Sequence, residues 1–271
     1  MADRASEQRS AQVITFATGT DAATSREVAI EAPISVVCGG IPFAVMMLTP
    51  ADLEDFVFGF ALTEGIVERA EQLRGVRVST SDLGVTLDLD LAPDRLHSHL
   101  ARRRALSGRT GCGVCGIDDL AAVRRADVSL NAPTQIVLAA AIDRALRELG
   151  ELQTLNRATG AVHAAAFARH DGTIIAVRED VGRHNALDKL IGACLRNQID
   201  AADGFVVITS RCSFEMVEKA AVFGAHTLVA ISAPTTLALD RAKALGVTLI
   251  GIARRDSMTV FTGEVATEVL A

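Results

Sequence analysis

"FVVITSRCSFEMVEKAAVFGAHTLVAISAPTTLALDRAKALGVTLIGIARRD" spans residues 205–256. Three short apolar runs, Phe205–Thr209, Thr227–Ile231 and Val247–Ala253, alternate with two segments of helical spacing, Phe214–Phe223 and Pro234–Leu245. Strands that are apolar throughout are buried on both faces, and a helix between successive strands returns the chain to the same end of the sheet. Extending the stretch backwards adds strand Thr173–Val177 and helix Asn185–Arg196, where Leu187, Leu190, Ile191 and Cys194 recur at helical spacing. Before them, "AVHAAAFARHDGTIIAV" (161–177) predicts a hairpin turning at Asp171–Gly172. The fold class expected is α/β, with a mixed, largely parallel sheet and covering helices.

Upstream the pattern changes. "EVAIEAPISVVCGGIPFAVMML" (27–48) predicts strands broken at Gly39–Gly40, and "VRVSTSDLGVTLDLDL" (76–91) alternates as a strand pair. Between them, Thr49, Pro50 and Asp52 predict a helix start with a capping hydroxyl, continued by Phe56, Phe60, Leu62 and Ile66. A further helix is expected over 131–149, with Pro133 near its start and Ile136, Ala139, Ala140, Leu146 and Leu149 on one face. The organisation expected is a loose leader over 1–22, a smaller α/β domain over 23–105, a mobile loop over 106–118 and a larger domain over 119–271.

The 271 residues carry a net charge of −6 and no Trp or Tyr. An acidic chain of this kind is a poor general ligand for nucleic acid or anionic membrane, so any basic site must be local. No apolar run reaches the length of a bilayer span and the first residues show no secretory core. Five cysteines, an odd number, without an export signal point to a reducing, cytoplasmic setting.

In open α/β sheets ligands gather at the carboxyl ends of the strands. There the sequence delivers "REDVGRHN" (178–185), "SRCS" (210–213), "SAPTT" (232–236) and "ARRD" (253–256). Ser210, Arg211, Ser213, Thr235 and Arg254 thus fall on one rim beside helix starts, where free N–H groups and guanidinium suit phosphate. The alternative for each hydroxyl is simple helix capping. No Walker A or G-x-G-x-x-G pattern occurs. In "REDVGRHNALDKLIG" (178–192), His184 is a candidate acid or base or a brace for the helix start, Asp180 shares that choice, and Asp188 and Lys189 are expected to face water.

"GRTGCGVCGIDD" (108–119) holds Cys112 and Cys115 among glycines. A closed zinc site needs four ligands and no second Cys-x-x-Cys exists; a deaminase-type site needs His-x-Glu, and after His163 the Glu position is Ala165. The glycines suit a moving arm better than a fixed redox turn. Arg102, Arg103, Arg104 and Arg109 favour thiolate, and Asp118 and Asp119 oppose it. Of the other thiols, Cys38, Cys194 and Cys212, Cys194 reads most simply as core.

Together "SGRTGCGVCG", "TGAVHAAAF", "REDVGRHNALDKLIG", "SRCSFEMVEKA", "SAPTTLALDRAKALG" and "TLIGIARRD" resemble the FdhD family of formate dehydrogenase accessory sulfurtransferases, from about residue 25 to 262. The resemblance implies a larger domain folded like a cytidine deaminase but without zinc. It implies a persulfide on Cys112 with Cys115 as helper, a cysteine desulfurase as donor, and the molybdenum cofactor of formate dehydrogenase, Mo-bis(molybdopterin guanine dinucleotide), as the ligand that receives sulfur. It places cofactor contact on Ile252, Ala253, Arg254, Arg255, Asp256 and Ser257, with Ile252 standing where the family usually has an aromatic. It also implies a homodimer. A cofactor chaperone that transfers no sulfur and a dithiol oxidoreductase are the rival readings.

Overall fold

A computed structural model describes residues 4–95, 128–131, 133, 135–254 and 256–267. Six strands form the larger sheet: β7 (His163–Arg169), β8 (Ile174–Asp180), β9 (Gly204–Ile208), β10 (Thr227–Ala230), β11 (Thr248–Gly251) and β12 (Thr259–Thr262). Their order is β12-β11-β10-β9-β7-β8. β9, β10 and β11 pair in parallel, whereas β7 is antiparallel to both β8 and β9, and β12 is antiparallel to β11. β8 therefore runs in the direction of β9, and four of the six strands point the same way. The sheet is mixed because the Asp171–Gly172 hairpin slots β7 between β8 and β9.

Helices α4 (Arg183–Arg196), α5 (Phe214–Phe223) and α6 (Thr236–Leu245) follow β8, β9 and β10, as the strand–helix alternation predicts. They cover one face, where Leu187, Leu190, Met216, Val217, Ala220, Ala238 and Ala242 meet Phe167, Val206, Ile208, Leu228 and Leu249. Helix α2 (Ala139–Leu152) covers the other face, packing Ala141, Ile142, Ala145 and Leu149 on Ala164, Ala166, Phe205, Val207, Val229 and Ile250. Alternate residues of each strand thus enter opposite cores, so the strands are apolar throughout.

Helix α2 starts later than expected. Before it, Val137 accepts a hydrogen bond from the Ala266 N–H and the Ala139 N–H donates to Ala266 O at 2.8 Å, which holds Leu138 extended. Helix can begin only once that bridge is made, so Pro133 lies outside it and Ile136 is exposed. The short α3 (Thr154–Thr159) follows, and the Glu179 carboxylate accepts from the N–H groups of Leu155 and Asn156 at its start.

A second sheet has the order β4-β3-β6-β5, from β3 (Ala32–Cys38), β4 (Ile41–Leu48), β5 (Leu73–Ser81) and β6 (Gly84–Leu91). One face buries Ile34, Val36, Cys38, Leu87 and Leu89 with helix α1 (Leu53–Thr63), in a core continuous with that beneath α4 to α6. The segment expected to be a loose leader contributes instead to a hairpin, β1 (Ser6–Thr15) with β2 (Thr20–Ala29). Its strands, SEQRSAQVIT and TDAATSREVA, are mostly polar and carry no regular apolar alternation, so composition alone hides it. The mobile-loop expectation for 106–118 lies outside the described residues.

The two sheets are joined by α1 crossing α4 at backbone contact. A Cβ on Gly59 would stand 1.8 Å from Asp188 O, and one on Gly192 1.7 Å from Asp55 O. Such a crossing needs glycine on both helices. Thr49 does not cap α1; Asp52 occupies that position with φ 53° and no side-chain cap. Thr49 is fully buried and belongs to the junction described next.

Candidate functional site

The "REDVGRHNALDKLIG" segment ends β8 and begins α4, and it faces two ways. Its inward side is a lock between the sheets. Asp180 and Lys189 are both fully buried and meet at 2.7 Å. Asp180 also accepts from the N–H groups of Thr49 and Gly182 and from Asn185, while Lys189 donates to Thr49 O at 2.9 Å. Asn185 donates on to Met47 O. One turn along, Lys219 of α5 reaches Asp188 at 2.9 Å, Thr63 at 2.8 Å and Glu64 at 3.1 Å. Arg178 and Arg196 share the buried Asp55 of α1.

Asp188 and Lys189 thus do not face water, because α1 packs over the positions that a lone amphipathic helix would leave wet. Burial pushes the Lys189 amine down and the Asp188 carboxyl up. Burial also opposes the charge on Lys219, but the carboxylates of Asp188 and Glu64 more than offset it and raise its pKa. Asp180 is a bracing residue, its carboxylate oxygens already spent on partners.

The outward side belongs to the rim. Backbone bonds lace its turns together: Cys212 N–H to Ala233 O at 3.3 Å, Thr235 N–H to Cys212 O at 3.0 Å and Ile252 N–H to Ser232 O at 3.1 Å. The turns after β9, β10 and β11 are therefore one continuous edge, and Ser210, Arg211, Ser213, Thr235, Ile252, Ala253 and Arg254 all lie along it. Their side chains divide. Thr235 caps α6 by accepting from the Ala238 N–H. Ser210 is buried, its hydroxyl donating to Arg211 O. Ser213 occupies the α5 cap position but turns its hydroxyl to Glu215 at 2.8 Å, leaving the helix start without a side-chain cap.

Arg211 and Arg254 remain exposed, as do Asp256 and Ser257, while Ala253 is buried. Ile252 stands at φ 52°, an uncommon backbone for a β-branched residue, which turns the chain out of β11 and leaves its side chain exposed. Arg255 lies outside the described residues.

Two further residues belong to this edge: His163, weighed from sequence only as a deaminase-type zinc ligand, and Glu215, which sequence reading missed. His163 begins β7 and pairs in register with Asp180, the last residue of β8. Because β7 runs antiparallel, its first residue, not its last, reaches the rim; the hairpin assignment held that signal. Glu215 sits in the first turn of α5, with its carboxylate 3.5 Å from His184 Nε2. Contact with His184, outweighing burial and helped by Ser213 and Arg183, holds the Glu215 carboxyl down at about 2. Burial, with Arg183 close by, pushes His163 below the ordinary histidine range.

Among the described residues, no three His, Cys, Asp or Glu side chains come together in a way that could hold a metal ion. The described thiols, Cys38, Cys194 and Cys212, are all buried, and burial pushes those of Cys194 and Cys212 up to about 12. A thiol so held stays protonated and is a poor nucleophile. No helix among the described residues is long and apolar enough to cross a membrane.

Residues 29–267 match the model of the FdhD/NarQ family. The chain belongs to that family. Among FdhD/NarQ relatives, the sulfur carrier protein FdhD of Xanthomonas euvesicatoria is 49% identical over 244 residues, covering 90% of this chain and 86% of that protein. The sulfur carrier protein FdhD of Variovorax paradoxus is 47% identical over 236 residues, with 87% and 84% covered. A crystal structure from Desulfotalea psychrophila, provisionally described as a formate dehydrogenase accessory protein, shares the fold at a TM-score of 0.72 and 24% identity, covering 96% of this chain and 98% of that one. The pair Cys112 and Cys115 of this FdhD/NarQ chain lies outside the described residues. The matched span of the FdhD/NarQ model begins at residue 29, so the β1–β2 hairpin lies almost wholly before it.

Proposed function

We propose that the chain is a cytoplasmic sulfur carrier. It takes sulfane sulfur onto Cys112 from a cysteine desulfurase and hands it to the molybdenum cofactor of a formate dehydrogenase, in the bis(molybdopterin guanine dinucleotide) form. The Cys112 thiolate attacks the outer sulfur of the donor persulfide, forming Cys112–S–SH and releasing the donor as thiolate. Cys115 then attacks the Cys112 sulfur, sulfide leaves for the metal, and a cellular thiol reopens the resulting disulfide.

The observation that carries this reading is the 49% identity, over 90% of the chain, to a protein named as a sulfur carrier. Two features support it. The described thiols are buried, and those of Cys194 and Cys212 sit too high to attack, which leaves Cys112 and Cys115 as the candidates. Arg211, just before α5, and Arg254, just after β11, are exposed on the same edge, and guanidinium suits the phosphates of a dinucleotide ligand. Ile252 offers an apolar contact there, and Ser257 and Asp256 offer polar ones. The working unit in this proposal is a homodimer.

The test is to incubate the protein with a cysteine desulfurase and cysteine and to follow intact mass. A gain of one sulfur is expected in the wild type and none in Cys112→Ala; an unchanged gain in Cys112→Ala would overturn the assignment.

A further inference from the structure

Glu215 is an acceptor that the rim holds in place with one oxygen still open. It stands in the first turn of α5. Its Oε2 takes the Ser213 hydroxyl at 2.8 Å and faces His184 Nε2, at the start of α4, at 3.5 Å. Oε1 has no partner among the described residues, on a side chain that is 25% exposed. Contacts on one oxygen orient the carboxylate, and the other oxygen keeps both lone pairs for a ligand. A first-turn glutamate that served only its own helix would turn to the free N–H groups there, and this one turns across to α4 instead. Held down at about 2, chiefly by His184, the group stays ionised at neutral pH and accepts without donating.

Its charge decides what it can meet. A carboxylate repels phosphate, so the phosphates of a ligand on this edge belong with Arg211 and Arg254, and Glu215 must touch another part. Two adjacent donors, a ring N–H and an exocyclic NH2, match the acceptor pair of a carboxylate. Guanine and pterin share that edge, the 2-amino-4-oxopyrimidine; adenine turns a bare ring nitrogen there and hypoxanthine lacks the amino group. We propose that Glu215 is the specificity-determining residue of this rim, accepting from the 2-amino-4-oxopyrimidine edge of the ligand. This inference rests on the reading that the ligand is a molybdopterin guanine dinucleotide, which carries that edge on its guanine and on its pterin.

The neighbouring carboxylates are not available for this task. Asp180 is buried and spent on Lys189 and on the N–H groups of Thr49 and Gly182. Glu179 accepts from the start of α3. Asp256 is exposed, but its side chain makes no hydrogen bond or ion pair with another described residue that would fix its direction.

The experiment measures Kd by calorimetry on the full chain for two ligand pairs that differ at the 2-amino group, GDP against IDP and pterin against lumazine. The wild type should favour the amino-bearing member of at least one pair by about tenfold, the worth of a hydrogen bond to a charged group. Glu215→Gln keeps the size but exchanges an acceptor for a donor, and the ratio should fall to about one. Glu215→Asp keeps the charge on a shorter arm and should retain part of the preference. The ratio is the readout because a disturbed rim would weaken both members of a pair alike. Loss of preference in the nucleotide pair assigns Glu215 to guanine, and loss in the pterin pair assigns it to pterin; either supports the proposal. Equal ratios in wild type and Glu215→Gln, or no preference in the wild type, overturn it and leave sulfur uptake on Cys112 standing. Failure of the wild type to bind either GDP or pterin overturns the rim's proposed ligand as well.

Discussion

Residues 178–192 and the rim they border use the same kinds of side chain for opposite ends. On the inward side, Asp180, Lys189, Asp188 and Lys219 are buried, and each charge has an opposite charge or several donors within about 3 Å. On the outward side, Glu215, His184, Arg211 and Arg254 keep solvent contact, and only Glu215 and His184 are tied to each other. A buried ion pair is expensive to assemble and worse to break, so the first set fixes one relative placement of the two sheets. A half-exposed set costs little stability to hold in reserve, and that is where charge can be offered to a ligand.

The comparison breaks most readily on the inward side. Lys189→Met leaves the Asp180 carboxylate buried without its counter-ion and the Thr49 carbonyl without a donor. The expected loss is about 3–5 kcal/mol, read as a lower urea midpoint. Sulfur uptake per folded molecule should stay at the wild-type level, since no rim residue is touched. A loss below about 1 kcal/mol would show that the lock is not what holds the sheets.

How far this division could be read from sequence depends on what each residue needs to be understood. Strands β8 to β11 and helices α4 to α6 follow from apolar runs and helical spacing, which are local signals, and so does the gathering of their ends on one rim. The lock does not. Asp188 and Lys189 look like ordinary surface charge until α1, more than a hundred residues earlier in the chain, is laid across α4 by Gly59 and Gly192. Helix α2 was placed too early because its true start depends on a bridge to Ala266 at the far end of the chain. His163, weighed only as a deaminase-type ligand, does not read as a rim residue from the ends of strands alone, because an antiparallel strand brings its beginning to that edge. Thr49, chosen as a cap on composition, is consumed instead by Asp180, Val181 and Lys189.

Glu215 lies between the two regimes, and acid measures where. Its carboxyl titrates at about 2 in the folded protein against an ordinary 4.5. A depressed folded value means that the stabilisation is complete above pH 4.5 and is lost as pH falls towards 2. Because the group is partly open to solvent, the expected contribution is discounted to about 1 kcal/mol. Urea midpoints of wild type and Glu215→Gln should therefore differ by that amount at pH 6 and converge as pH falls through about 2, where the folded carboxyl protonates. A constant difference across that range would place Glu215 with uncharged packing.

The smallest stability effect belongs to the exposed arginines. Arg211 and Arg254 make no side-chain ion pair with any other described residue, and each lies on the turn after a parallel strand. Arg211→Ala and Arg254→Ala should each change stability by less than about 0.5 kcal/mol. If the rim holds phosphates, the same substitutions should weaken guanosine diphosphate binding about tenfold each and flatten its dependence on salt, because a guanidinium contact to phosphate is largely electrostatic. Stability unchanged with binding unchanged would mean that these charges serve neither region. Stability unchanged with binding lost is the pattern that separates an edge kept for a ligand from a seam kept for the fold.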